Sequence, residues 1–379
     1  MGPLAIDLYL PALPSIARDL AVPIGAVQNS IASYFMGVSF GQAFYGPLAD
    51  RFGRKPALYL GLTIFIAGSF GCAFAQSVNQ LVVFRFVQAL GGCAPLVVPR
   101  AVVRDYFDGR ESVRMLSMLI LVMGVAPILG PLFGAQLLVR FGWRSVFYVL
   151  ASYGLVWSVV VAWLLPESLR PDQRRRESPA VIGATYLRLL RDRAYLGWVL
   201  AGGFIFAGFL AYVSASAFVF IELFDVAPER FGLYFGTNAI GLISASQVNR
   251  FLAQRFHPAS IVRVVLPVAV LSGTVLLADA VTGIGGFAGI LVPLFCFVAC
   301  YGFVSPNTTA LAMSPHGGVA GSASALLGTV QFVLGAAMSR LVSALGNGTA
   351  VPFAAVMAGC ALTAFMVHRT MPVREGAHS

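Results

Sequence analysis

Residues 46–58 read GPLADRFGRKPAL, a short charged stretch between two long apolar segments. Gly46 and Gly53 allow the backbone to turn and to approach a neighbouring segment closely. Between and beside these glycines lie one acidic and three basic residues: Asp50, Arg51, Arg54 and Lys55. Positive charge in a turn would by itself explain the basic residues, but not the ordered glycines and the aspartate. The stretch therefore predicts a charge cluster that latches one conformation of a loop.

The composition of the chain predicts whether its outer surface faces water or lipid. Of 379 residues, 58% are hydrophobic and 11% are charged, and the mean hydropathy is +0.84. A helix needs about 20 mainly apolar residues to cross the hydrocarbon core of a bilayer. Stretches of that size follow one another along nearly the whole sequence, so we expect an all-α polytopic membrane protein in contact with lipid.

Twelve apolar segments lie between charged, proline or glycine breaks. They cover residues 2–17, 23–48, 57–75, 79–102, 113–139, 144–165, 195–221, 230–252, 260–280, 284–310, 318–345 and 349–368. A polar, arginine-rich stretch separates the first six from the last six. We therefore predict a six-helix bundle at 1–165, a cytoplasmic linker at 166–193, and a second six-helix bundle with a short tail at 194–379.

The two halves also resemble each other. Residues 48–52 read LADRF at the end of the second segment, and residues 252–256 read LAQRF at the end of the eighth. Parallel six-helix repeats of this kind bind substrate in a central cavity between the halves. Because Gln254 stands where the first half has Asp50, only the first loop can carry the full charge latch.

Basic residues set the expected orientation, because short cytoplasmic loops retain Lys and Arg. Eighteen of the 25 lie in alternate connections or in the C-terminal tail, and four lie in the opposite connections. We expect the basic connections and both termini of the full-length protein to face the cytoplasm. A net charge of +10 can indicate nucleic acid as a partner, but here the charge is spread over short connections, and we expect no nucleic acid.

The first segment reads DLYLPALP at residues 7–14. Too few apolar residues precede Asp7 for a helix that begins in the cytoplasm, so we expect the first helix to be truncated. A signal peptide is the alternative, but no basic region follows Met1, and the segment contains Asp7, Pro11 and Pro14.

Asp7 and Arg85 are charged residues within apolar segments of the first half. Residues 81–92 (LVVFRFVQALGG) place Arg85 about two turns inside the fourth segment, where an arginine needs a partner unless it reaches the outer interface. Asp7 is the only acidic residue clearly inside an apolar segment. A carboxyl exposed in turn to the two sides could load and release a proton, although a purely structural pairing with Arg85 is the alternative.

Residues 124–134 (GVAPILGPLFG) lie within the fifth segment. Prolines bend a membrane helix, and glycines let it pack closely on a neighbour. The residues concerned are Gly124, Pro127, Gly130, Pro131 and Gly134.

These stretches resemble known motifs of the major facilitator superfamily: residues 46–58 resemble motif A, 81–92 motif B and 124–134 motif C. With DLYLPALP, RAVVRDYF at 100–107, PNTTALAM at 306–313 and AGSASALLG at 320–328, they resemble the Bcr/CflA drug-resistance transporters over nearly the whole chain. In that superfamily motif A is thought to stabilise the outward-facing state. The arginine of motif B is associated with proton transfer, and motif C occurs in the antiporter branch.

The resemblance implies a major facilitator fold and proton-coupled export of amphipathic compounds, such as bicyclomycin-type or phenicol-type antibiotics, across the bacterial inner membrane. It implies small molecules, protons and lipid as partners, a monomer, and no cofactor besides the proton gradient. Polar groups for an otherwise apolar binding site can come from Tyr9, Asn29, Tyr34, Tyr212, Asn238, Asn307 and Gln331. Hydrogen bonding between helices is the alternative for each of them.

Two other functions are alternatives to drug export. A symporter that imports a small metabolite shares the fold, because fold does not fix substrate or direction. A membrane-embedded enzyme needs metal ligands, paired carboxylates or an activated nucleophile, and the sequence shows no such pattern. The five cysteines lie in apolar segments without metal-ligand spacing, so we expect no metal.

The topology can be tested by cysteine accessibility. Cysteines at Arg54 and Arg175 should react from the cytoplasmic side, and a cysteine at Arg140 should react from the outside. Labelling of positions 54 and 175 from opposite sides of the membrane would contradict the proposed orientation.

Overall fold

The structure is a computed structural model that describes residues 1–107, 109–169, 174 and 179–370. Within these residues every regular element is a helix. The α-helices are α1 (Gly2–Asp7), α2 (Leu13–Asp19), α3 (Ile24–Phe52), α4 (Arg54–Ala73), α5 (Val78–Gly92), α6 (Ala94–Tyr106), α7 (Gly109–Phe141), α8 (Arg144–Leu164), α9 (Pro179–Arg191), α10 (Arg193–Ala217), α11 (Pro228–Leu252), α12 (Pro258–Thr282), α13 (Gly286–Met313), α14 (Ala320–Ala344) and α15 (Val351–Thr370). Short 3-10 helices cover Leu10–Ala12 and Ser314–Val319, and a π-helical turn covers Phe218–Leu223.

The all-helical prediction is confirmed, since each of the twelve apolar segments contains a helix or an interrupted pair of helices. Among the described residues, eight helices are long and apolar enough to cross a membrane. Helices suit this environment because they satisfy every backbone hydrogen bond within one segment.

The chain divides into two compact units. Unit 1 comprises Met1–Pro179 with Val226–Phe235, and unit 2 comprises Ala180–Asp225 with Gly236–Ser379. Within unit 1, the long helix α3 packs along α5, and α4 lies between α5 and α8. Within unit 2, α10 packs against α13, α14 and α15.

The linker predicted at 166–193 contains a helix that the sequence analysis did not identify. Helix α9 occupies Pro179–Arg191, while residues 170–173 and 175–178 of the same stretch lie outside the described residues. The apolar residues of α9 recur at helical spacing, but Arg188 and Arg191 interrupt them in the sequence. Because the segments were predicted from uninterrupted apolar runs, this helix was predicted to be part of a loop.

Prolines break the first apolar segment into three short pieces. Pro11 lies in the 3-10 helix Leu10–Ala12, and Pro14 lies in the first turn of α2. A proline lacks an amide hydrogen, and its ring clashes with the preceding turn, so a continuous helix cannot pass through both positions. Asp7 is consequently the last residue of α1.

The close packing predicted for residues 124–134 is observed, and the neighbour is the first segment. A Cβ atom at Gly130 would lie 2.5 Å from the Cβ of Asp7, and a Cβ at Gly134 would collide with the carbonyl oxygen of Leu8. Pro127 and Pro131 lie inside α7. Gly124 also belongs to α7, but its surroundings lie outside the described side chains.

Side chains tie the end of α2 to the start of α8. Trp143 Nε1 and Arg144 Nη1 donate hydrogen bonds to Asp19 Oδ2 at 2.9 and 2.8 Å, and the Arg144 guanidinium stacks over the Trp143 ring. The hydrogen bond from Trp143, followed by that from Arg144, lowers the pKa of Asp19. Because the folded-state pKa is lowered, this tie is present above the ordinary carboxyl pKa and is lost only as acid protonates Asp19.

Gly134→Ala should lower the thermal unfolding midpoint of the purified protein, because the added methyl group forces α7 away from the Leu8 backbone. Overpacking of this kind costs about 1–3 kcal/mol. Gly46→Ala is the matched control, since nothing lies within 4 Å of a Cβ at that helical position. Equal unfolding midpoints for the two variants would contradict this packing.

Candidate functional site

Arg85 of α5 is fully buried inside unit 1. Its Nη1 donates hydrogen bonds to the carbonyl oxygen of Ala5 at 3.1 Å and to Gln88 Oε1 at 2.6 Å. Its guanidinium carbon also lies 4.2 Å from the ring centroid of Tyr34 and 4.5 Å from that of Tyr9. A desolvated cation over an aromatic face gains about 2 kcal/mol. The charge is thus compensated by a carbonyl, an amide oxygen and aromatic rings.

A chain of polar groups fixes the orientation of this guanidinium. Gln88 Nε2 donates to Ser69 Oγ at 2.8 Å, and Ser69 Oγ donates to the carbonyl oxygen of Phe65 at 2.7 Å. Gln88 and Ser69 are both fully buried. The sequence analysis assigned no role to either residue, although Gln88 lies three positions after Arg85 and so shares its helix face.

Asp7 and Arg85 belong to the same site but do not form an ion pair. Asp7 is 5% exposed and packs against Gly130, and Arg85 bonds to the carbonyl oxygen of Ala5, two residues before Asp7. Among the described residues, neither Asp7 Oδ2 nor the Nε and Nη2 of Arg85 has a hydrogen-bond partner. The direct pairing considered from the sequence is therefore replaced by a bond from Arg85 to Ala5, two residues before Asp7.

Arg54 is the centre of the predicted charge cluster. It is the first residue of α4 and is only 6% exposed. Its Nη1 lies 2.5 Å from Asp50 Oδ1, while its Nε and Nη2 donate to the two carboxylate oxygens of Asp105 at 2.9 and 3.4 Å. One buried guanidinium thus joins the end of α3 to the end of α6.

Glu167 supplies a third carboxylate to the same place. It accepts hydrogen bonds from the backbone amides of Arg54 at 2.9 Å and Lys55 at 3.1 Å, which are free at the start of α4. Gly53 precedes them with a φ of 111°, and a Cβ there would lie 2.5 Å from Glu167 Oε2. Both the backbone angle and the space require glycine at this position.

The remaining residues of the 46–58 stretch contribute less to the cluster. Arg51 is exposed and lies over the Phe52 ring, whereas Lys55 Nζ donates to the carbonyl oxygen of Ala162 at 3.0 Å. Gly46 lies in open space, so the close approach expected there is not formed.

Asp105 and Glu167 belong to this cluster but were not predicted from the sequence. Asp105 lies in RAVVRDYF, which was noticed only as a family resemblance, and Glu167 follows the sixth segment. An acidic residue at or just beyond the C-terminal end of a helix was the available signal in both cases. Their distances along the chain from Arg54, 51 and 113 residues, concealed the contact.

In unit 1, two of the proposed substrate-binding residues face the Arg85 site. Tyr9 and Tyr34 are fully buried, and the Tyr9 hydroxyl lies 2.7 Å from Ser30 Oγ. The Tyr34 hydroxyl donates to the carbonyl oxygen of Gly2 at 3.3 Å. Asn29 is half-buried on α3.

In unit 2, three of the remaining candidates, Tyr212, Asn238 and Asn307, make bonds between helices. Asn238 Nδ2 donates to the Tyr212 hydroxyl at 3.1 Å, which brings two of them together. Asn307 Nδ2 donates to Asn249 Oδ1 at 2.6 Å, and both amides are buried. Gln331 is half-buried beside Gly203. For Asn307, the geometry matches the alternative of a bond between helices.

Comparison with known proteins identifies the family. The family model described as Major Facilitator Superfamily matches residues 2–340. An uncharacterized MFS-type transporter of Bacillus subtilis is 36% identical over 359 residues, which cover 94% of this chain and 89% of the relative. A bicyclomycin resistance protein homolog of Haemophilus influenzae is 31% identical over 375 residues, which cover 99% and 94%.

Among solved structures, a D-xylose-proton symporter matches with a TM-score of 0.79, covering 100% of this chain and 97% of that chain at 14% identity. An identity this low shows likeness of fold alone. The family match extends over most of the sequence and agrees with the helical architecture and with the apolar helices. The chain therefore belongs to the major facilitator superfamily, and it is a multi-pass membrane transporter.

Proposed function

We propose that this protein exports small amphipathic antibiotics of the bicyclomycin or phenicol kind across the bacterial inner membrane, driven by the proton gradient. The proposal draws its substrate class from the bicyclomycin resistance protein homolog and from the Bcr/CflA resemblance. The single structural observation that carries it is the buried, unpaired carboxyl of Asp7, wedged between α7 and the Arg85 site.

Asp7 and Arg85 take different parts in the proposed coupling. A guanidinium keeps its proton at any physiological pH, so Arg85 is a fixed positive charge. A carboxyl can exchange its proton, and protonation of Asp7 changes the net charge of the site by one. Asp7 accepts a proton from the outside, and it gives the proton up to the cytoplasm when a polar or cationic substrate competes for the site.

The Arg54 cluster is the proposed conformational latch. It joins the ends of α3 and α6, the start of α4 and the segment after α8 through one guanidinium and three carboxylates. Because Arg54 is buried, separating these elements would leave its charge unpaired, which is costly. As the resemblance to motif A implies, the intact cluster favours the outward-facing state of alternating access.

The remaining parts of the proposal follow from the family resemblance. The transporter works as a monomer, uses no cofactor, and has both termini of the full-length protein in the cytoplasm.

A whole-cell accumulation assay separates export from import of a small metabolite. Cells that express an exporter should hold less of a fluorescent substrate and tolerate more antibiotic, whereas an importer would raise the substrate inside.

Asp50→Asn and Asp105→Asn should both reduce drug export while the protein still inserts into the membrane. Asp105 provides two of the three side-chain bonds to Arg54, so its loss should have the larger effect, and the double variant should lose most of the activity. Transport in proteoliposomes and labelling of outward-facing positions would measure both changes. Arg51→Gln is the control, because Arg51 is exposed. Normal export by the well-expressed double variant would refute the latch.

Asp7→Asn should abolish gradient-driven export and substrate-induced proton release, because the amide imitates a permanently protonated carboxyl. Substrate binding should partly remain. Glu222→Gln removes an exposed carboxyl from the same chain and should leave coupling intact. If Asp7→Asn protein at normal levels still pumped drug uphill with an unchanged pH dependence, another group would have to carry the proton.

A further inference from the structure

We propose that helix α9 is a lipid-binding element: its exposed arginines hold anionic phospholipid headgroups of the cytoplasmic leaflet, and its exposed leucines contact the adjoining acyl chains. The known transport activity of the superfamily does not require such a site. The proposal does not depend on which drug is exported.

Helix α9 has two apolar sides, and only one of them is covered by protein. Leu189 is 2% exposed and Tyr186 is half-buried. Leu187 and Leu190, which lie one turn apart on the neighbouring side, are 49% and 41% exposed. A helix of 13 residues is marginal in water on its own. Its second apolar side therefore needs a partner other than water.

Chain continuity places this apolar side at the membrane boundary. Helix α9 ends at Arg191, and a membrane-spanning stretch begins two residues later, at Arg193–Leu223. An extended chain covers at most about 3.6 Å per residue, so Leu190 lies within roughly 10 Å of the start of that span. Exposed leucines at this depth meet the boundary between headgroups and acyl chains, where amphipathic helices bind.

The charges beside the leucines match an anionic surface. Arg188 and Arg191 each follow one exposed leucine, and both are exposed. Among the described residues neither arginine has an ion-pair or hydrogen-bond partner. The acid next to them, Asp192, accepts hydrogen bonds from the first amides of α10 at 2.9 and 3.2 Å.

The guanidinium groups are thus available to phosphate oxygens, which they bind with two parallel hydrogen bonds. The orientation inferred from the basic connections puts α9 on the cytoplasmic side. Anionic lipid there attracts basic residues close to the membrane. A leucine pair bordered by two exposed arginines therefore fits phosphatidylglycerol better than a zwitterionic lipid.

Native mass spectrometry of the full chain in detergent, titrated with phosphatidylglycerol and separately with phosphatidylcholine, tests the proposal. The wild type should bind the first phosphatidylglycerol more tightly than phosphatidylcholine. Arg188→Gln with Arg191→Gln should weaken phosphatidylglycerol binding about tenfold or more and leave phosphatidylcholine binding unchanged. Arg18→Gln with Arg140→Gln removes two exposed arginines from the opposite connections and should have little effect.

A second measurement addresses the leucines in the bilayer. Leu187→Trp protein in vesicles should show extra fluorescence quenching by brominated phosphatidylglycerol, beyond that of the four native tryptophans. Unchanged phosphatidylglycerol binding by the α9 double variant, or an equal loss in the control, would overturn the proposal. A tryptophan at 187 quenched by aqueous acrylamide but not by brominated lipid would also overturn it, and would favour a solvated or protein-bound face.

Discussion

A guanidinium that is buried in a membrane protein cannot lose its charge, and no bulk water reaches it. Arg85 therefore requires compensation from the helices around it. Ala5 provides a carbonyl, Gln88 an amide oxygen, and Tyr9 and Tyr34 provide ring faces. These groups come from α1, α3, α5 and the break between α1 and α2, so the packing of unit 1 and the solvation of Arg85 depend on each other.

The same constraint explains why the first segment is not a continuous helix. Its broken backbone presents the Ala5 carbonyl to Arg85 and the Asp7 side chain to α7, while Gly130 and Gly134 leave room for the close approach. A straight helix would direct its carbonyls along its own axis. The prolines that interrupt the helix thus belong to the machinery that holds the two charged residues.

The two units bury different kinds of polar side chain. Unit 1 contains buried charges, at Arg85 and at the Arg54 cluster. In the described part of unit 2, the buried amides Asn249 and Asn307 bond to each other, and Asn238 bonds to Tyr212. Neutral pairs cannot bind or release a proton at physiological pH. Among the described residues, the buried charged side chains Asp7, Arg54 and Arg85 all lie in unit 1.

The sequence by itself determined the helical class, the order of the membrane segments, the family, and the two residue types, acid and arginine, on which coupling can depend. Those features follow from local composition and spacing. Both are informative here because a segment that crosses lipid must be apolar along its length and must satisfy its own backbone hydrogen bonds. Only the tertiary structure decided that Asp7 packs on Gly130 instead of pairing with Arg85, that Asp105 and Glu167 complete the Arg54 cluster, and that Asn307 ties two helices together. These contacts join residues that are far apart in the chain. They could not be predicted because helix periodicity determines which face of a helix a residue occupies, but not which neighbouring helix that face contacts.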